Sequence, residues 1–406
     1  MVERTQYLNQ LEQWQNTQLI KVVTGIRRCG KSTLLAQFQK RIQASGVAPE
    51  SIISINLEDL AYEGLLDYRA LYTYLIKRLQ KGRMTYIFLD EIQRVQHFEK
   101  AVDSLYILDN VDVYITGSNS FILSGELATL LSGRYVEIPI LPLSFSEYIS
   151  AYADENRDAI FSKYIQHGGF PYLLQLEQDA TRIGTYLEGI YNTIIVKNIE
   201  DRERHRSNSE SRRIADFNLL RNIAKFLASS IGSPISMKSI TDYIISSGRK
   251  VSQNTVADYI AMLTEAFVFY PVERFDISGK QLLKMNQKYY IVDVGLRRYL
   301  LSRNHYDLGL ILENIVFLEL LRRGYKVNIG KLGNAEVDFV VRKDDHIIYI
   351  QVTASLTEPS TFEREIKPLR AIRDNYPKII LTLDRFTLGN YEGIEVMNAV
   401  DWLEGG

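Results

Sequence analysis

Residues 19–33 read LIKVVTGIRRCGKST. The first six, Leu19–Thr24, are a short apolar, β-branched run of the kind that forms a buried strand. They pass into Gly25–Thr33, and the LLAQFQKRI that follows has helical spacing. Strand, G-x-x-x-x-G-K-[ST], helix is the context that a phosphate-binding loop requires. Gly25 and Gly30 let the backbone turn tightly, so that the N–H groups of Ile26, Arg27, Arg28 and Cys29 can face phosphate oxygens. A helix starting after Gly30 adds partial positive charge. Lys31 is expected on the β- and γ-phosphates, Ser32 is expected to offer its hydroxyl to Mg²⁺, and Thr33 completes the motif. Arg27 and Arg28 are also candidates for phosphate or interface contacts. Cys29 lends its backbone, with a thiol that a helix N-terminus would make somewhat reactive.

Working outward, Tyr86–Leu89 (YIFL) is a second buried-strand run, and it ends in Asp90-Glu91-Ile92-Gln93. In a parallel sheet ligands bind outside the C-terminal strand ends, which brings this acid pair beside the loop. Asp90 is expected in the Mg²⁺ shell, and Glu91 is expected to orient or deprotonate an attacking water. The bland alternative is a surface acid pair closing a strand. A third run, Val113–Thr116, leads into Gly117–Ser120 (GSNS), where Ser118 or Asn119 could sense the γ-phosphate or merely cap a helix. Strands at 19–24, 52–57, 85–90, 111–117 and 134–140 with helices between them predict a three-layer α/β domain. Arg134 precedes the last strand. It is a candidate for stabilising a transferring phosphoryl group, in cis or across a subunit boundary, with a structural ion pair as the rival.

The bulk numbers set the frame for these motifs. At 406 residues the chain exceeds one ordinary core, so two or three domains are expected. Hydrophobic content of 46% and charged content of 24% fit a globular protein rather than a disordered one. No apolar run approaches the roughly 18 residues needed to cross a bilayer, and the first ten residues carry no signal-peptide core. No membrane partner is therefore expected, and the cytoplasm is the default address. The lone Cys29 excludes an internal disulfide and a cysteine zinc cluster. Residues 211–301 hold 13 Lys/Arg against 7 Asp/Glu, a local charge of +6; with a total of −1, the rest of the chain sums to −7. Such a basic middle permits nucleic-acid contact without establishing it.

Residues 144–206 read as a helical, polar lid or connector broken at HGGFP (167–171). After a linker-like SNSESRR (207–213) come helix patterns at Phe217–Ser230, Met237–Ser247 and Gln253–Phe267, then strand-like runs at Phe267–Arg274 and Lys288–Val292. Three helices and a hairpin describe a winged helix. Arg249, Lys250, Gln253, Asn254 and Lys280 would lie at its recognition helix or wing and are candidate phosphate contacts. Asp258 and Glu265 weaken a groove-binding role and leave protein contact as the alternative. Beyond them, an amphipathic helix at 310–323, strands at 325–329, 335–342, 345–353 and 378–383, and a helix at 361–374 are expected.

VVTGIRRCGKST (22–33), INLED (55–59), FLDEIQ (88–93), ITGSNS (115–120), LSGRY (131–135), PLSFSEY (142–148) and GGFP (168–171) together resemble a family of bacterial and archaeal AAA-type ATPases. YYIVDVGLRRYL (289–300), ENIVFLELLRRGY (313–325) and EVDFVV (336–341) extend the resemblance over the whole chain. It implies ATP as the nucleotide, Mg²⁺ as cofactor, a winged-helix middle and a C-terminal domain resembling restriction endonucleases. The expected domains are 1–141 (P-loop ATPase), 142–210 (helical connector), 211–305 (winged helix) and 306–406 (nuclease-like).

In active nucleases of that fold an acid on the first helix, an Asp and an E/Q-x-K strand converge on Mg²⁺. Carried over, Glu313 matches the helix acid, Asp338 the strand Asp, Gln351 the second ligand and Thr353 the lysine place. Gln351 is neutral and Thr353 carries no charge, so a degenerate site is expected unless Lys367 substitutes. The reading is thus an ATPase coupling nucleotide state to the movement of winged-helix and nuclease-like modules. Its rivals are an ATP-dependent assembly switch with negligible turnover, as a homo-oligomer, and a DNA-processing nuclease using Asp338. DNA or a protein is the partner expected at the winged helix.

Overall fold

The computed structural model describes residues 2–118, 133–152, 156–176, 179–205, 216–301 and 307–405. The chain divides into two compact units, Met1–Pro142 with Glu265–Phe267, and Leu143–Thr264 with Val268–Gly406. Among the described residues no helix is long and apolar enough to cross a membrane.

The first unit is built on five parallel strands, β1 (Ile20–Thr24), β2 (Ile52–Asn56), β3 (Thr85–Asp90), β4 (Val111–Gly117) and β5 (Tyr135–Pro139). All five match the runs expected from the sequence. Their order is β2-β3-β4-β1-β5. Every residue of β1 and β3 is buried, as parallel strands covered on both faces require. Helices α1 (Thr5–Gln13), α2 (Lys31–Ala44), α3 (Tyr68–Ile76) and α4 (Phe98–Tyr106) supply the cover. One core joins Val22, Ile55, Ile87, Leu89 and Ile115 of the sheet to Leu71 and Leu75 of α3 and Val102 and Leu105 of α4. Since the strands all run one way, their C-terminal ends share one edge, where Thr24, Asn56, Asp90 and Gly117 lie.

The second unit starts with helices α5 (Phe145–Ile149), α6 (Arg157–His167), α7 (Ala180–His205), α8 (Phe217–Ser229), α9 (Met237–Ser246) and α10 (Gln253–Glu265). Ser236 and Ser252 cap the last two, accepting from the N–H groups of Ser239 and Thr255, as the preceding SPIS and KVSQNT suggest. β6 (Phe269–Asp276) and β7 (Gln281–Ile291) form an antiparallel hairpin. After α11 (Val294–Leu301) and α12 (Leu308–Arg322) come β8 (Lys326–Leu332), β9 (Ala335–Lys343), β10 (His346–Thr353), α13 (Pro359–Ala371) and β11 (Lys378–Thr382). β12 (Gly389–Tyr391), β13 (Ile394–Asn398) and α14 (Ala399–Glu404) complete the unit.

Eight strands make one mixed sheet, in the order β12-β13-β11-β10-β9-β8-β6-β7. The hairpin expected to belong to the middle module therefore extends the C-terminal sheet, with β6 parallel to β8. Helix α12 also differs from its expectation. It is buried almost all round, from Ile311 to Leu320, because it packs against β7, β8, β9 and β10, so ILENIVFLELL is a core helix and not an amphipathic one.

A turn in this unit explains the GGFP and VDVGL motifs. Asp293, buried ahead of α11, accepts from the N–H of Gly169 at 2.6 Å and of Leu296 at 2.9 Å. A Cβ on Gly168, at φ +84°, would meet that carboxylate at 2.2 Å, so no larger residue fits.

Candidate nucleotide site

β1 delivers the chain to Gly25 at φ +145°, where a Cβ would lie 2.2 Å from the carbonyl oxygen of Ile140. Only glycine can make this turn. Gly30, left-handed at φ +103°, caps α2, whose first turn carries Lys31, Ser32 and Thr33. Lys31 is buried but folds back on the loop itself, donating to the carbonyls of Gly25 (2.9 Å) and Ile26 (3.3 Å). Ser32 and Thr33 are exposed in that turn. Arg4 pins the loop from outside, donating to the carbonyls of Cys29 (3.1 Å) and Leu141 (2.9 Å). The Cys29 side chain is fully buried and burial pushes its pKa up, which disfavours the alternative of a reactive thiol and leaves the expected backbone role.

At the end of β3 the acid pair is held by the neighbouring strand. Thr116 of β4 donates to Asp90 Oδ1 and accepts from the N–H of Glu91, so one hydroxyl aligns both residues. Glu91 lies in the left-handed region at φ +55°, a strained conformation for a residue with a side chain. The tight turn Ile92–Arg94 follows it directly. Its carboxylate accepts from Ser118 on Oε1 (2.5 Å) and from the Gln93 amide on Oε2 (2.6 Å). Arg27 stands 3.5 Å from Oε2 while also pairing with Glu58 at 3.2 Å, and Lys31 stands 3.9 Å from Oε1. Sequence reasoning missed Thr116, Gln93 and Glu58; the first two flank motif residues, and Glu58 lies within INLED. Arg28 is exposed at φ +67°. Asn119 lies outside the described residues.

Arg134 is elsewhere. β5 runs parallel to β1 with Tyr135 opposite Ile20, and the Arg134 carbonyl accepts from the Ile20 N–H. This is the N-terminal edge of the sheet, while the phosphate loop leaves the opposite edge. At ~3.3 Å per residue the intervening strand is roughly 16 Å, beyond the reach of an arginine side chain. There Arg134 pairs with Asp103 and lies over the ring of Tyr106. Within its own chain Arg134 is thus out of reach of the phosphate loop, and its pair with Asp103 is the structural ion pair expected as the rival role.

In the second unit, Glu313 of α12, Asp338 of β9 and Gln351 of β10 do converge, around a residue that sequence reasoning overlooked. Lys288 of β7, 97% buried on its side chain, lies 2.8 Å from Glu336 and 3.3 Å from Glu313. Tyr290 also donates to Glu313 at 2.6 Å. Burial opposes charge on Lys288, but Glu313, Asp338 and Glu336 outweigh it and hold its pKa above the ordinary lysine value. Burial raises the Glu313 carboxyl, while burial and then Glu313 push Asp338 well up. Gln351 is engaged at both ends, accepting from the Asp338 N–H (3.2 Å) and donating to Glu365 (2.8 Å). Thr353 donates to the carbonyl of Ser355, and Lys367 is exposed on α13. An ammonium thus stands among the carboxylates, and the Gln351 amide is engaged at both its oxygen and its nitrogen. Among the described residues no three His, Cys, Asp or Glu side chains are grouped to hold a metal.

Of the basic-middle candidates, Lys250, Gln253, Asn254 and Lys280 are exposed, and Arg249 is paired with Asp216 at 2.7 Å.

The parallel sheet, the loop after β1 and the acid-ended β3, with β4 between them, define the first unit as a P-loop domain of the AAA type. Residues 17–149 match the AAA domain family, and residues 158–307 match a domain of unknown function. An uncharacterized protein of Haemophilus influenzae is 39% identical over 408 residues, covering 99% of this chain and 98% of its own. An uncharacterized protein of Methanocaldococcus jannaschii is 31% identical, covering 94% of this chain and 85% of its own. Among solved structures, a Walker-type ATPase of Pyrococcus abyssi aligns with a TM-score of 0.49 at 18% identity, over 74% of this chain and 96% of its own. The chain belongs to the family of AAA-domain proteins that these bacterial and archaeal relatives represent.

Proposed function

We propose that this protein is a Mg²⁺-dependent ATPase whose nucleotide state moves a winged-helix module and a nuclease-like module. The observation that carries the reading is the meeting of Lys31, Asp90 and Glu91 at one edge of a parallel sheet, with Thr116 and Ser118 fixing the acids. Lys31 exchanges the carbonyls of Gly25 and Ile26 for the β- and γ-phosphates. The backbone N–H groups from Ile26 to Gly30 cradle the same phosphates. The Ser32 hydroxyl and the Asp90 carboxylate are hard oxygen donors, and together with phosphate oxygens they fit Mg²⁺. Mg²⁺ held by these donors would supply charge neutralisation at the phosphates. Glu91 takes the proton of the attacking water, and Ser118 keeps its carboxylate aimed.

α8, α9, α10 and the β6–β7 hairpin make the winged-helix module in this reading, with Lys250, Gln253, Asn254 and Lys280 exposed for a nucleic-acid or protein partner. The C-terminal sheet is the nuclease-like module, and Thr353 in the motif's lysine place argues against a live metal nuclease there. Arg134 serves hydrolysis, if at all, in the site of another copy.

The test is phosphate release with nucleotide binding measured alongside it. The wild-type chain is expected to hydrolyse ATP slowly, Glu91→Gln to bind ATP with turnover strongly reduced, and Lys31→Ala to lose binding. A wild-type chain that binds no nucleotide would sink the proposal.

A further inference from the structure

Gln93 is 9% exposed and sits two residues past Glu91 in the Ile92–Arg94 turn. Its amide nitrogen donates to Glu91 Oε2 at 2.6 Å. The orientation of the amide follows from chemistry, because a flipped amide would set two acceptors against each other. Its oxygen, on the same amide plane, is buried with no partner among the described residues. A buried acceptor left unpaired is costly, and water is its usual partner. Ser118 holds the other carboxylate oxygen, so the plane of Glu91 is fixed from both sides.

We propose that Gln93 seats the attacking water jointly with Glu91. This deepens the ATPase reading and rests on it. A water placed between the Gln93 amide oxygen and the Glu91 carboxylate donates one proton to each. Both of its hydrogens are then committed, and a lone pair is left pointing outward, toward the γ-phosphorus of a nucleotide on the loop. In the reaction the water oxygen forms a bond to the γ-phosphorus, and the bond from that phosphorus to the β,γ-bridging oxygen breaks. ADP leaves with the electron pair, the proton shared with Glu91 passes to its carboxylate, and the other proton stays on the new phosphate. Gln93 exchanges no proton. It fixes the water and, through its N–H, the base.

The test uses the full chain with the substitutions Gln93→Leu, Glu91→Gln and the pair of them. ATP affinity and KM are expected to stay within about 3-fold for Gln93→Leu while kcat falls about 10–100-fold, the scale of a misplaced reactant. The double substitution is expected to be no slower than Glu91→Gln alone, because the two residues act on one water. Gln93→Leu hydrolysing at the wild-type rate would overturn the proposal and leave the ATPase reading standing. Losses that multiply in the double variant, or a kcat loss matched by weakened ATP binding, would also overturn it by assigning Gln93 a structural role. A wild-type chain that binds no ATP would overturn both.

Discussion

At the end of β3, Asp90 and Glu91 are held by hydroxyls, an amide and the loop's own cations. In the C-terminal sheet, Glu313, Glu336 and Asp338 close around a single buried lysine. Both are acid clusters at strand ends or helix faces, and motif reading treats the first as a metal site and the second as a degenerate one. They differ in where the balancing charge comes from. Neutral donors orient the first pair, and its cations, Arg27 and Lys31, are side chains at 3.5 and 3.9 Å that can move to a ligand. The second cluster is balanced by an ammonium in the protein interior, with Tyr290 and Gln351 filling the remaining hydrogen bonds. An acid site held by neutral donors leaves its charge for a ligand; in the second cluster part of that charge is met from within by Lys288.

The comparison can be broken most directly at the first site. Glu91→Gln is expected to lower phosphate release by about 10²–10⁴-fold with ATP affinity kept, and Asp338→Asn to leave that rate unchanged. Equal losses in the two variants would erase the distinction.

Next in size, Lys288→Met removes the interior cation and strands the carboxylates, which should cost roughly 3–5 kcal/mol of stability in thermal or denaturant unfolding. Adding Glu313→Gln to it should recover part of that loss. If Lys288→Met unfolds like wild type, the lysine is not what balances the cluster.

Asp293 supplies an intermediate case: a fully buried acid held by backbone N–H groups with no cation. Burial pushes its pKa to about 6, above the ordinary 3.8. Between about pH 4 and 6 the folded chain keeps a proton that the unfolded chain has released. Stability contributed by this group is therefore present at low pH and lost as pH rises through 6, by about 3 kcal/mol in all. Comparing unfolding free energies of wild type and Asp293→Asn across that window should show the slope in wild type alone.

The smallest effect is expected at Arg134, whose pair with Asp103 is partly solvent-exposed. Arg134→Ala should cost no more than about 1 kcal/mol. If another copy uses this arginine, mixing Arg134→Ala with Lys31→Ala should restore phosphate release that neither supplies alone.

How much of this was legible follows from how local each feature is. The loop could be read because Gly25, Gly30 and Lys31 act through their own backbone and a helix that starts at once. Asp90 and Glu91 could be read because a strand's end fixes its edge. Arg134 could be read as a motif residue but not placed. Its remoteness depends on the register of β5 against β1, which no spacing encodes. Lys288 belongs to no motif and meets Glu313 only because β7 runs beside α12. The all-round burial of α12 was there to be read in ILENIVFLELL, but the sheet that covers its second face includes strands assigned to another module.

That shared sheet bears on how the protein can be taken apart. β6 lies between β7 and β8, bonded in parallel through Arg274, Phe275 and Asp276 to Ile329, Gly330 and Lys331. A chain ending at residue 305 keeps the hairpin but bares the β6 edge, with Phe275 stripped of the C-terminal core it packs into. A chain starting at 306 bares the matching edge of β8. Both fragments carry a raw strand edge that invites pairing with other copies. Neither half should be soluble and monomeric alone, and the two expressed together should reassemble.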